Sequence, residues 1–509
     1  MRLGIPRESV PGERRVAATP DSVKKLRKLG FDVTVERDAG LAAGFDDAAY
    51  ASAGAVVADR ASTWSGDIVA KVRPPVDDEV GFLKDGQTII SYLYPAFNKD
   101  LVARLAERRV NALAMDQVPR ITRAQKVDAL SSMGNLSGYR AVIEAVNVMQ
   151  RPLRGQSTAA GKIHPGKVLV IGAGVAGLAA IGAARALGAI VRAFDTRPAV
   201  RDQVTSMGAE FLEVQIEEDG SGTGGYAKEM SPAFIAAEMA LFAAQAKEVD
   251  VIITTALIPG KRAPVLITAD MVKSMKRGSV VVDLAAEQQG NCELTKPGEA
   301  VEVHGVTVIG YTDFPSRMAH QASSLYATNI VHLLGEMGGA EKYTISDTND
   351  IVRPMTVLKA GTLMWPCETC AKQVHVTPHV AKAPLFSEEH GPPVFEKMTA
   401  FSKRSLLLLA LSLVGIGITA PPAFLTHFTV FVLACFIGYH VVWSVTPALH
   451  TPLMSVTNAI SGIILIGGML QVSSSTAART LAIAAIVLAT INVAGGFLVT
   501  QRMLRMFHK

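Results

Sequence analysis

Cysteine is scarce in this chain: four in 509 residues, at Cys292, Cys367, Cys370 and Cys435. That number cannot build a disulfide scaffold, and it fits a reducing compartment for the water-facing part. The opening stretch MRLGIPRESVPGERRVAATP lacks a charged segment followed by an apolar core, so no secretory signal is expected. Acidic residues are missing altogether from Phe401 to Lys509, where six Lys and Arg give +6. With a net charge of +5 overall, the remainder of the chain stands at −1. The pI of 8.9 therefore reflects one basic end. No basic stripe or nucleic-acid-binding motif accompanies it, which excludes that class of partner.

Apolar residues, by contrast, are plentiful, at 49% with a mean hydropathy of +0.28. The length suggests about three units. In residues 1–140, short apolar runs (RLGIP, DVTVE, DIVAKV, TIISYLYP, NALAMD) alternate with helical patterns (PDSVKKLRKLG, KDLVARLAERR). A helical run from about Asp128 to Met149 leads into a second alternating series: KVLVIG, IVRAFD, EFLEV, DVIITT, SVVVDLA, VTVIGY. A further helix, about Gln321 to Gly335, folds back onto the first unit. Strand–helix alternation predicts two α/β lobes with parallel sheets and a ligand-binding cleft between them. The expected division is a first lobe of 1–140 plus 311–345, a dinucleotide-binding Rossmann lobe of 141–310, and a flexible Pro-rich linker of 346–400.

Residues 401–509 hold four apolar spans: Leu406–Ala420, Phe424–Val445, Leu453–Val472 and Leu481–Val499. Roughly 20 apolar residues cross a hydrocarbon core, so four transmembrane helices are expected. Lys403 and Arg404 precede the first span, and Arg502, Arg505 and Lys509 follow the last. Positive ends lie inside, which places both termini, and the α/β lobes with them, on the cytosolic side; Arg479 is then the single exception outside.

The stretch VIGAGVAG matches G-x-G-x-x-G at Gly172, Gly174 and Gly177, after an apolar strand and before an Ala-rich helix. A second strand ends in Asp195, 23 residues after Gly172. In this context the glycines supply the tight turn, the approach of backbone amides to a pyrophosphate, and close helix–strand packing. The helix N-terminus favours the phosphates. Asp195 suits the ribose hydroxyls of NAD and repels a 2′-phosphate; Arg197 argues the other way, but the strand-end carboxylate lies closer to the ribose.

MDQVPRITRAQKVDALSS places Arg120, Gln125, Asp128 and Ser131 at spacings of five, three and three, with one helical face from Gln125 onward. Gln125 and Ser131 supply the donor and acceptor that a nicotinamide carboxamide needs, and Asp128 is placed to orient Arg120. Taken alone, these spacings suit a solvated helix face better. The glycine-rich EEDGSGTGGYAKEMSP suggests a mobile loop with Tyr226 as its one large side chain.

At these motifs the chain resembles the alpha subunits of the proton-translocating NAD(P) transhydrogenases of bacteria, in the alanine dehydrogenase/transhydrogenase family. GIPRES…ERRVAATP, VPRITRAQKVDALSS, VIGAGVAGLAAIGAA, GGYAKEMS, TTALIPGKRAPVLIT and HTPLMSVTNAISG carry the likeness along essentially the whole chain. The resemblance implies an NAD(H) site of Arg120, Ile121, Thr122, Arg123 and Gln125, of Gly172, Gly174, Val175 and Gly177, of Asp195, Thr196 and Arg197, and of Gly225 and Tyr226. It assigns Arg120, Gln125, Asp128, Ser131 and Tyr226 to the reacting ring. It further implies hydride transfer to NADP+ held by a beta subunit, coupling to proton flow, and a dimer of alpha–beta pairs in the inner membrane.

Two rivals exist. A membrane-anchored alanine dehydrogenase would use Arg15 and Lys71, but its catalytic histidine falls at Tyr94, a poor proton shuttle at neutral pH. A non-catalytic NAD-sensing regulator would not need to grip the reactive ring. Cys367 and Cys370, with His375 and His379, have zinc-knuckle spacing, yet their Pro-rich setting favours exposed thiols, and no metal is expected. His427, His440, His450, Asn458 and Asn492 are polar groups in the apolar region. Because the family's channel histidine and asparagine belong to the beta subunit, these five are assigned mostly to packing or the interface, Asn458 being the one to test.

Overall fold

The computed structural model describes residues 1–214, 216, 218, 220, 230–257, 262–367, 421–444 and parts of 465–493. Two compact units result, Met1–Ala381 and Lys382–Lys509.

The first lobe begins with β1 (Arg2–Ile5), α1 (Pro20–Lys28), β2 (Asp32–Glu36), α2 (Asp47–Ala53), β3 (Val56–Ala58) and α3 (Arg60–Trp64). It continues with β4 (Ile68–Ala70), α4 (Asp77–Val80), β5 (Thr88–Ser91), α5 (Lys99–Glu107) and β6 (Asn111–Ala114). Local chemistry sets these boundaries. Thr19 and Ser22 cap each other's backbone amides and Pro20 occupies the first turn, which fixes the start of α1. Strands β4 and β5 are buried at every position because helices cover both faces of the sheet.

A 20-residue helix, α6 (Ala129–Val148), joins the lobes. Its first half (Ala129, Met133, Leu136) lies in the core of the first lobe, and its second half (Ala141, Val142, Ala145) in the core of the next. After a short hairpin of β7 (Gln156–Thr158) and β8 (Gly161–Ile163), the second lobe opens with β9 (Lys167–Ile171), α7 (Val175–Ala186) and β10 (Ile190–Phe194). There follow α8 (Arg201–Ser206), β11 (Glu210–Leu212), α9 (Pro232–Ala246), β12 (Val251–Thr254), α10 (Ala269–Ser274), β13 (Val280–Asp283), β14 (Ala300–Val303) and β15 (Val306–Ile309). The sheet order is β11-β10-β9-β12-β13-β15-β14, parallel except for the edge strand β14.

The helix α11 (Ala319–Glu336) returns to the first lobe, burying Ala322, Tyr326, Ile330 and Leu333 in its core. Beyond it the structure departs from the expected linker of 346–400. A short helix α12 (Val352–Met355) and strands β16 (Thr356–Lys359) and β17 (Thr362–Leu363) extend the first sheet, in the order β17-β16-β6-β5-β4-β1-β2-β3. Strand β16 pairs antiparallel with β6. Four residues are too few to show a period, and Pro354 sits inside a single helical turn, so the prolines misled the sequence reading. Cys367 is disulfide-bonded and not the free thiol expected; Cys370, His375 and His379 lie outside the described residues.

In the second unit a 23-residue helix spans Pro422–Ser444 without a charged residue. At about 1.5 Å per residue it is some 35 Å long. Val430, Phe431, Leu433 and Phe436 are all more than half exposed along it. Among the described residues no helix is long and apolar enough to cross a membrane. The side chains of His427 and His440, and all of His450, Asn458 and Asn492, lie outside what is described.

Candidate functional site

The glycine fingerprint forms the turn between β9 and α7. Gly172 has φ +95°, and a Cβ there would lie 2.4 Å from the Thr255 hydroxyl, which donates to the Gly172 carbonyl at 3.0 Å. Only glycine fits. A Cβ on Gly177 would lie 1.8 Å from the Gly172 carbonyl oxygen, so this glycine lets helix and turn pack together. Gly174 is different: a Cβ there would meet nothing within 4 Å. Its backbone faces open space at the start of α7, where no side chain caps the helix. This arrangement fits a pyrophosphate, since a helix N-terminus presents amides and a favourable dipole to anions. Val175, next in sequence, is 43% exposed on the same rim.

Asp195 closes the site from the end of β10. Its Oδ2 accepts from the Ala173 amide at 2.7 Å, tying the strand end to the fingerprint turn. The Arg197 backbone amide and Nε donate to Oδ1 at 2.9 and 2.8 Å, and Nη2 donates to Oδ2 at 2.8 Å. The conflict between these residues at the sequence level thus has a structural form. The Arg197 guanidinium is forked onto Asp195, and its pKa is raised first by that hydrogen bonding. Thr196, between them, accepts from the Gly220 amide at 3.1 Å.

Arg120 is exposed just before the next element, and Ile121 is half-buried against the first core. Thr122–Val127 wind as a 3₁₀ turn, which corrects the expected single α-helical face from Gln125 to Ser131. The chain breaks at Asp128, where ψ is 89°, and Asp128 becomes the N-cap of α6. Its carboxylate accepts from the Ser131 amide at 2.9 Å and from the Ser131 hydroxyl at 2.5 Å. Short polar residues at a helix start form such caps in preference to continuing the helix. The Ser131 hydroxyl is thereby oriented with its proton toward Asp128, leaving its lone pairs to accept. Gln125 is exposed. Arg123 turns to Glu336 and to Asp350, its Nη1 lying 2.9 Å from Asp350 Oδ1.

What brings this loop to the fingerprint is the packing of α6 on α7. Gly138 of α6 approaches so closely that a Cβ there would lie 1.9 Å from the Ala176 carbonyl oxygen, and Gly134 stands beside Val175 and the Ala176 amide. Sequence reasoning missed this pair. Their signal was two glycines one helical turn apart, which shortens the distance between helix axes. It also missed Glu238, which lies among buried apolar residues of α9. Burial and the charge of Asp195 push its carboxyl up to about 7. Gly225 and Tyr226 lie outside the described residues.

The cations that an amino-acid dehydrogenase would use are engaged within the chain. Arg15, 4% exposed, is forked by Glu13 at 2.8 and 2.6 Å. Lys71, fully buried, contacts Glu79 at 2.5 Å and Glu8 at 3.7 Å. Burial pushes the Glu8 carboxyl up to about 6. Tyr94 stacks on Tyr92 at 5.7 Å, and burial drives its hydroxyl well above the usual range.

Comparison with known proteins agrees with this geometry. Residues 4–137 match the N-terminal domain and 141–366 the C-terminal domain of the family described as alanine dehydrogenase/PNT, and residues 427–509 match the 4TM region of pyridine nucleotide transhydrogenase. The chain is 52% identical to NAD(P) transhydrogenase subunit alpha of Haemophilus influenzae, covering 100% of both. It is 50% identical to the subunit of the same name from Cereibacter sphaeroides, again over 100% of both. A solved transhydrogenase from Sinorhizobium meliloti is 40% identical with a TM-score of 0.64, covering 72% of this chain and 99% of that one. With full-length identity of this order joined to the fingerprint turn and the capped loop beside it, this chain belongs to the NAD(P) transhydrogenase subunit alpha family.

Proposed function

We propose that this chain is the NAD(H)-binding subunit of a membrane transhydrogenase, passing hydride between NADH and NADP+ held by a beta subunit, in a reaction coupled to proton translocation. The observation that carries the reading is the close crossing of α6 and α7, where Gly134 and Gly138 lie against Val175 and Ala176 at the start of α7; it supports a site running from the glycine turn to the Asp128-capped start of α6. One dinucleotide laid from Gly174 toward Ser131 meets both. The bound nicotinamide supplies the hydride, so the protein needs no acid or base at the reacting carbon. Its residues position. The turn at Gly172, Gly174 and Gly177 holds phosphates, with Val175 on the rim. Asp195, with Thr196 and Arg197, takes the ribose. Gln125 donates to the carboxamide and Ser131, oriented by Asp128, accepts from it; Arg120, Ile121 and Thr122 border the ring, and the family resemblance adds Gly225 and Tyr226 to the site. Holding two rings in reactive register accounts for a large share of such catalysis.

The basic ends of the apolar region support four spans with both termini in the cytosol of a bacterial inner membrane, and the 4TM match supports a partner in that membrane. Alpha–beta pairs assemble as a dimer in this reading. Arg15 and Lys71, already held by carboxylates, and Tyr94 in place of a histidine weigh against alanine oxidation. The full-length chain, reconstituted in vesicles with its beta subunit, is expected to reduce NADP+ with NADH and to acidify or alkalinise the lumen in step. NADH oxidation with pyruvate and ammonia, independent of the beta subunit, would overturn the reading.

A further inference from the structure

A 3₁₀ helix repeats every three residues, so the side chains of Thr122–Val127 fall on three edges. Ala124 and Val127 form one edge, fully buried against the first core. Arg123 and Lys126 form the second. Both reach Glu336, the last residue of α11: Arg123 Nη2 donates to Oε1, and Lys126 Nζ lies 3.5 Å from Oε2. Thr122 and Gln125 form the third edge, and both are exposed.

The grip on the second edge is extensive. Glu336 is 14% exposed and also accepts from Asn349 Nδ2 at 3.1 Å. Two turns earlier on α11, Asn329 Nδ2 donates to the Lys126 carbonyl at 3.0 Å. One helix therefore holds the turn by its backbone and by both of its cations. Rotation of the turn by a single residue would move Gln125 off its edge, and the apolar edge, the Asn329 hydrogen bond to the Lys126 carbonyl, Asp350 and Glu336 oppose that rotation, Glu336 alone by holding both cations. Arg123 and Lys126 are 54% and 47% exposed, so these ion pairs are open to screening by salt.

We propose that Glu336 is a positioning residue for hydride transfer: it fixes the azimuth of the 122–127 turn so that Gln125 and Thr122 face the nicotinamide, while Arg123 and Lys126 serve as handles and not as cofactor contacts. This rests on the assignment of Gln125 to the nicotinamide site above. It removes Arg123 from the cofactor set that the resemblance implied.

The test uses the full-length chain assembled with its beta subunit. Glu336→Gln keeps the shape and loses the charge; it is expected to lower kcat for NADH-to-NADP+ transfer about tenfold while the KM for NADH moves less than about twofold. Added to Glu336→Gln, Arg123→Gln is expected to cost less than it does alone, because the two share one contact and only the Arg123–Asp350 pair is left to lose. Raised salt is expected to slow the wild type toward the rate of the variant. Gln125→Ala serves as the control for the site itself. If Gln125→Ala loses rate and Glu336→Gln does not, the anchor is wrong and the site stands. If neither loses rate, the site assignment fails first. A loss in Glu336→Gln that is matched by lost NADH affinity, and additive with Arg123→Gln, reduces Glu336 to a general structural role and also overturns the proposal.

Discussion

Gly138 and Ala176 meet where α6 crosses α7, and a methyl group on Gly138 would lie 1.9 Å from the Ala176 carbonyl oxygen. No side-chain rotation relieves that contact, because the obstructing atom is backbone. Replacing Gly138 with alanine gains up to about 1 kcal/mol of helix propensity, but overpacking on this scale costs about 1–3 kcal/mol. Gly138→Ala is therefore expected to lower the thermal midpoint and, by pushing α6 away from the fingerprint turn, to slow hydride transfer. Calorimetry and the transfer assay check it; an unchanged midpoint and rate would mean the helices separate freely.

The Asp195–Arg197 fork predicts an asymmetry in nucleotide choice. Asp195→Ala removes the carboxylate that holds Arg197 and that, in the proposed site, would repel a 2′-phosphate. The preference for NADH over NADPH is then expected to fall about tenfold, on the order of 1.4 kcal/mol. Arg197→Ala leaves Asp195 in place and is expected to keep NADPH out. Fluorescence titration with both nucleotides reads the difference, and NADPH binding gained by Arg197→Ala would sink the idea.

Glu238 predicts a pH dependence. It occupies a stripe with Phe234 and Phe242, and Phe242 packs edge-on against Phe194 at 5.1 Å, one residue before Asp195. Burial, and secondarily the Asp195 charge, raise its carboxyl from 4.5 to about 7. A raised carboxyl binds its proton more tightly in the folded state, so folding stability declines as pH rises from about 4.5 to 7 and levels off above that. Glu238→Gln is expected to flatten this slope. Denaturant midpoints at pH 5 and pH 8 measure it, and an unaltered slope would place the titration elsewhere.

Lys71 predicts stability without amino-acid chemistry. Its ammonium lies within 2.5 Å of Glu79 and 3.7 Å of Glu8, all three side chains at most 2% exposed. Lys71→Met leaves the buried Glu8 carboxylate without its cation and Glu79 with only Arg60, 3.7 Å away, a loss of about 3–5 kcal/mol. Tyr94→His is expected to confer no alanine-dependent NAD+ reduction, since Arg15 and Lys71 are already held by carboxylates. Turnover in that variant would show a working amino-acid site.

How far the sequence carried the fold depends on the range of each signal. Lys167–Ile171, Ile190–Phe194 and Val251–Thr254 are visible as apolar runs because strands buried on both faces need no alternation. Strand β3 and the edge strand β14 were not seen, for Val56–Ala58 and Ala300–Val303 are short and half-exposed. Strands β16 and β17 were hidden between prolines: pairing with β6, more than 240 residues earlier, makes β16 a strand, and β17 in turn pairs with β16.

By itself the sequence determined the glycine turn between β9 and α7, because Gly172, Gly174, Gly177 and Asp195 act through local backbone geometry along one strand–turn–helix–strand. It also determined the apolar, positively ended region, since that depends on composition alone. Tertiary structure decided the rest. It forked Arg197 onto Asp195, turned Arg123 to Glu336 on a helix 213 residues away, and set Gly138 against Ala176. Each of these joins residues whose separation in sequence or whose side-chain direction no local pattern encodes. Which edge of a short turn faces a ligand is fixed only when the rest of the chain has claimed the other two.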